Sequence, residues 1–254
     1  MLEAIDPDAV HVVNKSEAND TVTVSGLAPG EHVVLSNETI SNLHSSTATA
    51  ESDVVTFTNL NLKSAGGSLT LYREDAFGQY SSRITVDYIS EAAYNELVTV
   101  ANTVYTDFTV SATQAVYQNV YLNTPGVQVP SDITLNVLGV ELVGTVTSDV
   151  YLEYTDGAVK LQHFNGTGGD VQYKVSLELK RGSSIVTKTI TLTVPDVHTA
   201  LQDSVTAAGT IIDNTVVAAR VTEAKAVLND QQSTTEAYIN ALYLLNEAIW
   251  DATH

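Results

Sequence analysis

The hydrophobic pattern changes period three times along this chain. Across residues 10–88 short stretches rich in β-branched and apolar residues, some of them alternating with polar ones, read as strands: 10–13, 21–24, 33–35, 54–57, 68–72 and 82–88. Turn residues part them, notably Ala28-Pro29-Gly30, Ala65-Gly66-Gly67 and Ala76-Phe77-Gly78. Many short strands with regular turn punctuation predict an all-β sandwich over residues 1–89. Phe57 and Tyr72 read there as core or cross-strand partners.

Over residues 90–105 the period becomes helical, with Ala93, Leu97, Val100, Ala101 and Val104 on one face. Ser90 is placed to cap the helix and Glu91 suits the positive end of its dipole. One such helix cannot bury its stripe alone, so 90–105 is expected to connect and pack against a neighbouring module.

Period two then returns over 106–195. Strands are predicted at 108–110, 116–122, 133–137, 141–146, 150–154, 158–161, 171–179 and 183–194. Asp156-Gly157 is a hairpin signal, residues 165–170 make a longer turn, and Pro195 ends the last strand because it has no N–H to give. These segments predict a second sandwich.

Beyond Pro195 the pattern stays helical. Val197, Leu201, Val205, Ala208 and Ile212 trace one face, Val217, Val221, Ala224 and Leu228 a second. Ala237, Ala241, Leu244, Leu245, Ala248, Ile249 and Ala252 trace a third, behind a capping box from Ser233 to Glu236. The expectation is a three-helix bundle over 196–254, sealed by Trp250, the only tryptophan. The chain is thus predicted to be mainly β: two Ig-like β-sandwich modules joined by a helix, then a small C-terminal three-helix bundle.

Specific residues carry a resemblance. Val22-Thr23-Val24, Gly26-Leu27, Pro29-Gly30 and the closing Ser81-Ser82-Arg83-Ile84-Thr85-Val86 resemble an Ig-like repeat of Bacillus- and Paenibacillus-type surface-layer and cell-wall-associated proteins. The usual glutamate of that ending is missing. The run from Asn119 to Pro125, the Gly157-Ala158-Val159 hairpin and Gly182 leading to Thr187-Lys188-Thr189 resemble the reduced bacterial Ig-like domain, without its tryptophan-serine-serine strand. Residues 224–229, 233–237 and 241–242 resemble the helical FIVAR module of Gram-positive surface proteins. The resemblance implies a non-enzymatic structural protein of the bacterial surface, an S-layer or wall-associated spacer or adhesin that assembles through Ig-like modules. A phage decoration or tail protein with Ig-like domains, localised to the virion, is the alternative.

Charge narrows the partners. Thirty acids against 11 bases give a formal charge of −19, which repels phosphate backbones and anionic membranes. Nucleic acid and membrane are excluded as expectations; the resemblance implies identical chains, neighbouring modules of a longer protein, or cell-wall polysaccharide as partners. There is no cysteine, so neither disulfides nor thiolate-held zinc enter. The first residues, Met1 to Asp8, lack the basic flank and apolar core of a signal peptide. Either the protein stays inside the cell that makes it or, the favoured reading, the chain is a fragment, for which the resemblance implies an extracellular location on the bacterial cell surface.

Chemistry is sparse. None of the six histidines stands in an HExxH spacing, and no Gly-x-Ser-x-Gly elbow occurs. Residues 165–170 are glycine-rich but lack a phosphate-loop lysine. No cofactor and no catalytic residue is expected. One site class is suggested, a structural calcium site drawing on Asp6, Asp8, Asp53, Asp75 and Asp87 near strand ends, because calcium takes several loop oxygens. Solvated surface acids are the simpler reading of the same residues.

Overall fold

A computed structural model describes residues 2–15, 19–36, 44–47, 52–110, 119–122, 129–143, 152–155, 158–161 and 169–254. The chain divides into two compact units. One comprises Met1–Val104, Val127–Leu135 and Glu178–Thr187; the other comprises Tyr105–Gly126, Asn136–Leu177 and Lys188–His254. These limits differ from the four consecutive segments expected, since the segments at 127–135 and 178–187 count with the N-terminal unit.

In the first unit a short 3-10 turn, Pro7–Ala9, leads into seven strands: β1 (Val10–Val13), β2 (Asp20–Val24), β3 (His32–Ser36), β4 (His44–Thr47), β5 (Val55–Leu60), β6 (Gly67–Glu74) and β7 (Ile84–Tyr88). They form a three-stranded sheet, β1-β2-β5, and a four-stranded sheet, β4-β3-β6-β7, antiparallel throughout. Val10, Val12, Val22, Val24, Val55 and Phe57 of the first sheet share one buried core with Val33, Leu35, Leu69, Leu71, Val86 and Tyr88 of the second. The three-plus-four arrangement is that of an Ig-like sandwich. Each fully buried apolar side chain contributes about 1.5–3 kcal/mol, which lets the core hold without disulfides. β5 carries a bulge opposite Thr21, where Asn59 takes a φ of 56°. Helix α1 (Glu91–Thr103) follows, capped by Ser90, whose Oγ accepts the Ala93 N–H. Its buried face is Tyr94, Leu97, Val100 and Ala101, so Tyr94 takes the place expected of Ala93.

In the second unit β8 (Phe108–Thr109), β10 (Thr134–Val143), β13 (Val171–Arg181) and β14 (Ser184–Val194) form one sheet, ordered β10-β13-β14-β8. β13 and β14 run on into the hairpin tip assigned to the first unit. β8 is parallel to β14, with Leu192 opposite Phe108. β9 (Asn119–Tyr121), β11 (Leu152–Thr155) and β12 (Ala158–Leu161) form a smaller sheet, β11-β12-β9. Thr155 pairs with Ala158 as a hairpin requires; Asp156, Gly157 and most of the 165–170 turn lie outside the described residues. Val171, Tyr173, Val175, Leu177 and Leu179 alternate inward along β13, and Ile190, Leu192 and Val194 along β14.

Pro195 ends β14, and the Asp196 carboxylate accepts the Thr199 N–H to start α2 (Val197–Ala208). With α3 (Thr215–Asn229) and α4 (Thr235–Thr253) it makes three helices in mutual contact. The buried seam is Val197, Ala200, Leu201, Val217, Val221, Ala224, Tyr238, Leu242 and Leu245, pinned by a 2.8 Å hydrogen bond from Ser204 Oγ to Asn246 Oδ1. Among the described residues no helix is long and apolar enough to cross a membrane.

Several local expectations are corrected. The strands expected at 133–137 and 141–146 are joined into one, Thr134–Val143, because Gly139 stays extended inside β10, while 144–146 lie outside the described residues. β4 was not expected, since His44-Ser45-Ser46-Thr47 shows no apolar alternation. α2 stops at Ala208, leaving Ile212 49% exposed in the connection. The cap of α4 is Thr234, not Ser233; the Ser233 hydroxyl donates to the Val227 carbonyl instead. Trp250 does not seal the helices, for it is 54% exposed and stacks on His254 at 3.7 Å between ring centres.

Candidate functional site

The five aspartates proposed for calcium each have a local task or stand apart. Asp6 caps the 3-10 turn, its Oδ1 accepting the Asp8 N–H at 3.0 Å. Asp8 Oδ1 accepts from Lys180 Nζ at 2.9 Å, and that hydrogen bond and charge hold its carboxyl below the ordinary range. Asp53 is held near β5 by its carbonyl, which accepts the Leu27 N–H at 3.0 Å. Asp75 Oδ1 accepts two backbone N–H groups, from Phe77 at 2.9 Å and Gln79 at 2.8 Å. Asp87 Oδ1 accepts the Ser68 hydroxyl at 2.6 Å across β6 and β7. Among the described residues no three His, Asp or Glu side chains could share a metal ion.

The polar groups that sequence reasoning missed serve the first unit's frame. Buried Asp20 accepts the Lys15 and Leu62 N–H groups, each at 2.7 Å. Asn14, fully buried, donates to the Lys63 and Ile89 carbonyls at 3.0 and 2.9 Å. Arg181 at the hairpin tip donates Nε to Asp132 at 2.7 Å and Nη1 to both Glu96 (2.6 Å) and the Ala93 carbonyl (3.1 Å). The Glu96 hydrogen bond leads in raising its pKa, so the guanidinium is fixed as a cation. His11 has a buried Nδ1 with no protein partner; burial pushes its pKa down, against the nearby Glu178 and Asp8. Burial likewise pushes the Tyr94 and Tyr105 hydroxyls up. These are structural ties, and none pairs a nucleophile with a base.

Sheet edges are the other candidate. The outer edge of β1 is closed: the Val12 N–H donates to the Ser183 carbonyl at 3.0 Å, and the buried Ser184 hydroxyl donates to the Val12 carbonyl at 2.6 Å. β10 differs. Among the described residues it is the outer strand of its sheet, ten residues long, with Glu141 its single charge and neither lysine nor proline. Leu138 is 55% exposed on it. Long apolar edges without such blockers are the ones that accept another strand.

No family model matches the sequence, and no curated protein matches it significantly. Among solved structures the chain is similar to a two-domain fibronectin type III segment of chicken tenascin, at 13% identity and TM-score 0.24, covering 76% of this chain and 99% of that one. It is similar to human protocadherin-24 EC1-2, at 11% and 0.23, covering 66% and 83%. It is also similar to the chicken CNTN1 FN1-FN3 domains, at 11% and 0.25, covering 77% and 68%. With TM-scores this low, the likenesses carry no argument about function.

Proposed function

We propose that the chain is a non-enzymatic structural protein of the bacterial cell surface, a spacer or adhesin of an S-layer or wall-associated assembly that joins copies through sheet edges. The observation that carries this reading is β10, a ten-residue outer strand with one charge and an exposed Leu138. Strand addition there supplies main-chain hydrogen bonds for affinity and alternate side chains for register. The Ig-like sandwich of the first unit and the surface-repeat resemblance at residues 22–30 and 81–86 support the setting. Neighbouring modules of a longer chain would offer the same edges.

The test is light scattering with negative-stain microscopy on the purified chain, with and without millimolar calcium, beside Leu138→Lys. Filaments or sheets from the parent chain that Leu138→Lys prevents are the expected result. A monomer under every condition, or assembly indifferent to the substitution, removes the edge-joining reading. Assembly only with calcium would return the acidic loops to the assembly mechanism.

A further inference from the structure

The outer face of the β3-β6-β7 sheet carries an arrangement that no structural task absorbs. Strand alternation sends Leu69, Leu71 and Val86 into the core and turns Ser68, Thr70, Tyr72, Thr85 and Asp87 outward. Cross-strand register then lines them up: Ser36 opposite Thr70, Thr70 opposite Thr85, and Ser68 opposite Asp87. Ser36, Ser68, Thr70 and Thr85, with Lys63 and Tyr88 at one end, line a groove of about 620 Å³. Among the described residues its walls carry the hydroxyls of Ser36, Ser68, Thr70, Thr85 and Tyr88 and the Lys63 side chain, beside Gly67.

The same face becomes aromatic one step further along the strands. Tyr72 follows Thr70 at the next outward position of β6, about 7 Å on. Arg83 lies over the Tyr72 ring, 5.5 Å from its centre, and Tyr80 meets that ring edge-on at 5.9 Å. Tyr80 is 55% exposed, and Phe77, on the turn between β6 and Tyr80, is 89% exposed. That turn is stapled by the two N–H groups on Asp75 Oδ1, by the Asp75 N–H to the Gln79 carbonyl, and by Gly78 at φ 76°. Phe77 is therefore held out in water by a fixed turn, where burying so large a ring would otherwise be favourable.

We propose that this face binds a neutral polysaccharide, with sugar rings stacked on Tyr80 and Phe77 and the chain running along the hydroxyl groove. Aromatic faces pack on the C–H faces of sugars, and serine and threonine hydroxyls both donate to and accept from sugar hydroxyls. Ser68 is already oriented, because its proton is committed to Asp87 and its lone pairs face donors. A protein partner would want an apolar pocket at the centre of its contact, whereas the described groove residues are mostly hydroxyl-bearing. The charge of −19 selects against acidic polymers. The inference extends the surface reading but does not rest on self-assembly.

The experiment is affinity electrophoresis of the full chain through gels containing dextran, mannan, laminarin or polygalacturonate. Retardation by at least one neutral polymer and none by polygalacturonate is expected. Tyr80→Ala should weaken it about tenfold, Tyr80→Phe should preserve it, and Thr85→Val should weaken it with the melting temperature unchanged. No retardation by any neutral polymer, retardation by polygalacturonate alone, or binding indifferent to Tyr80→Ala and Thr85→Val overturns the inference. Leu138→Lys separates the two readings. Assembly that persists in Leu138→Lys, or is absent from the parent chain, with retained retardation sinks edge joining and leaves the glycan face standing.

Discussion

The Arg73 guanidinium lies 3.1 Å from the Glu31 carboxylate, with the two side chains only 14% and 9% exposed. Glu31 Oε2 also accepts the Ala28 N–H at 2.9 Å, and Arg73 Nε donates to the Glu3 carbonyl at 2.7 Å. One ion pair thus ties β6 to the turn before β3 and to the N-terminal segment. Removing one partner strands the other charge away from water. Glu31→Ala is expected to cost about 3 kcal/mol in urea denaturation, and the double change Glu31→Leu with Arg73→Met clearly less. Equal losses in both would show that the pair carries no buried charge.

Gly66 and Gly30 share a φ of 86° and differ in their surroundings. A Cβ at Gly66 would lie 2.8 Å from the Tyr88 carbonyl oxygen, whereas at Gly30 nothing stands within 4 Å. Gly30→Ala should cost about 1 kcal/mol, the left-handed penalty alone. Gly66→Ala adds a backbone clash and should cost at least about 2 kcal/mol more. Matching denaturation midpoints for the two variants would refute the close approach at Gly66.

His11 makes stability depend on pH in a definite direction. Burial lowers its pKa below the ordinary 6.5, so between those two values the unfolded chain binds the extra proton and the folded chain does not. Its contribution is fully present above pH 6.5 and is lost as pH falls through the lowered folded value. Melting temperature should fall on acidification from pH 7.5 to about 5 more steeply in the parent chain than in His11→Leu. Parallel pH profiles would show that His11 is solvated in the native state.

Trp250 reports on the surface of α4. Its ring is 54% exposed and lies 14° from parallel with His254. Trp250→Phe should change stability by no more than about 0.5 kcal/mol. As the only tryptophan, it should also be readily quenched by acrylamide in the folded protein. A blue-shifted, protected emission would return it to the core.

What could be read from the sequence followed from period. Alternation along 10–13, 21–24 and 184–194 located β1, β2 and β14 because each buries one face. The Ser90 and Asp196 caps were legible because their chemistry is local. Arg181 was not, since its partners lie 49 and 85 positions away and only the fold brings them to it. The Tyr72, Tyr80 and Arg83 group depends in the same way on β6–β7 register. Trp250 was misplaced because its helical phase was judged from size and apolarity, while Tyr238, Leu242 and Leu245 fill the seam. Gly139 misled for the opposite reason: glycine usually marks a break, yet here it is tolerated inside β10.

The closure of β1 has a consequence for the order in which the chain can be made. Val12 leaves the ribosome 172 positions ahead of Ser184, whose hydroxyl occupies its carbonyl. During synthesis β2 can pair with β1, and β5 with β2, long before the other side of β1 is covered. Through that interval the nascent chain carries an open strand edge, the kind of surface that holds chaperones and invites neighbours. The first unit is thus begun before the β13–β14 hairpin exists and completed only with it, so its assembly is timed by translation of that hairpin.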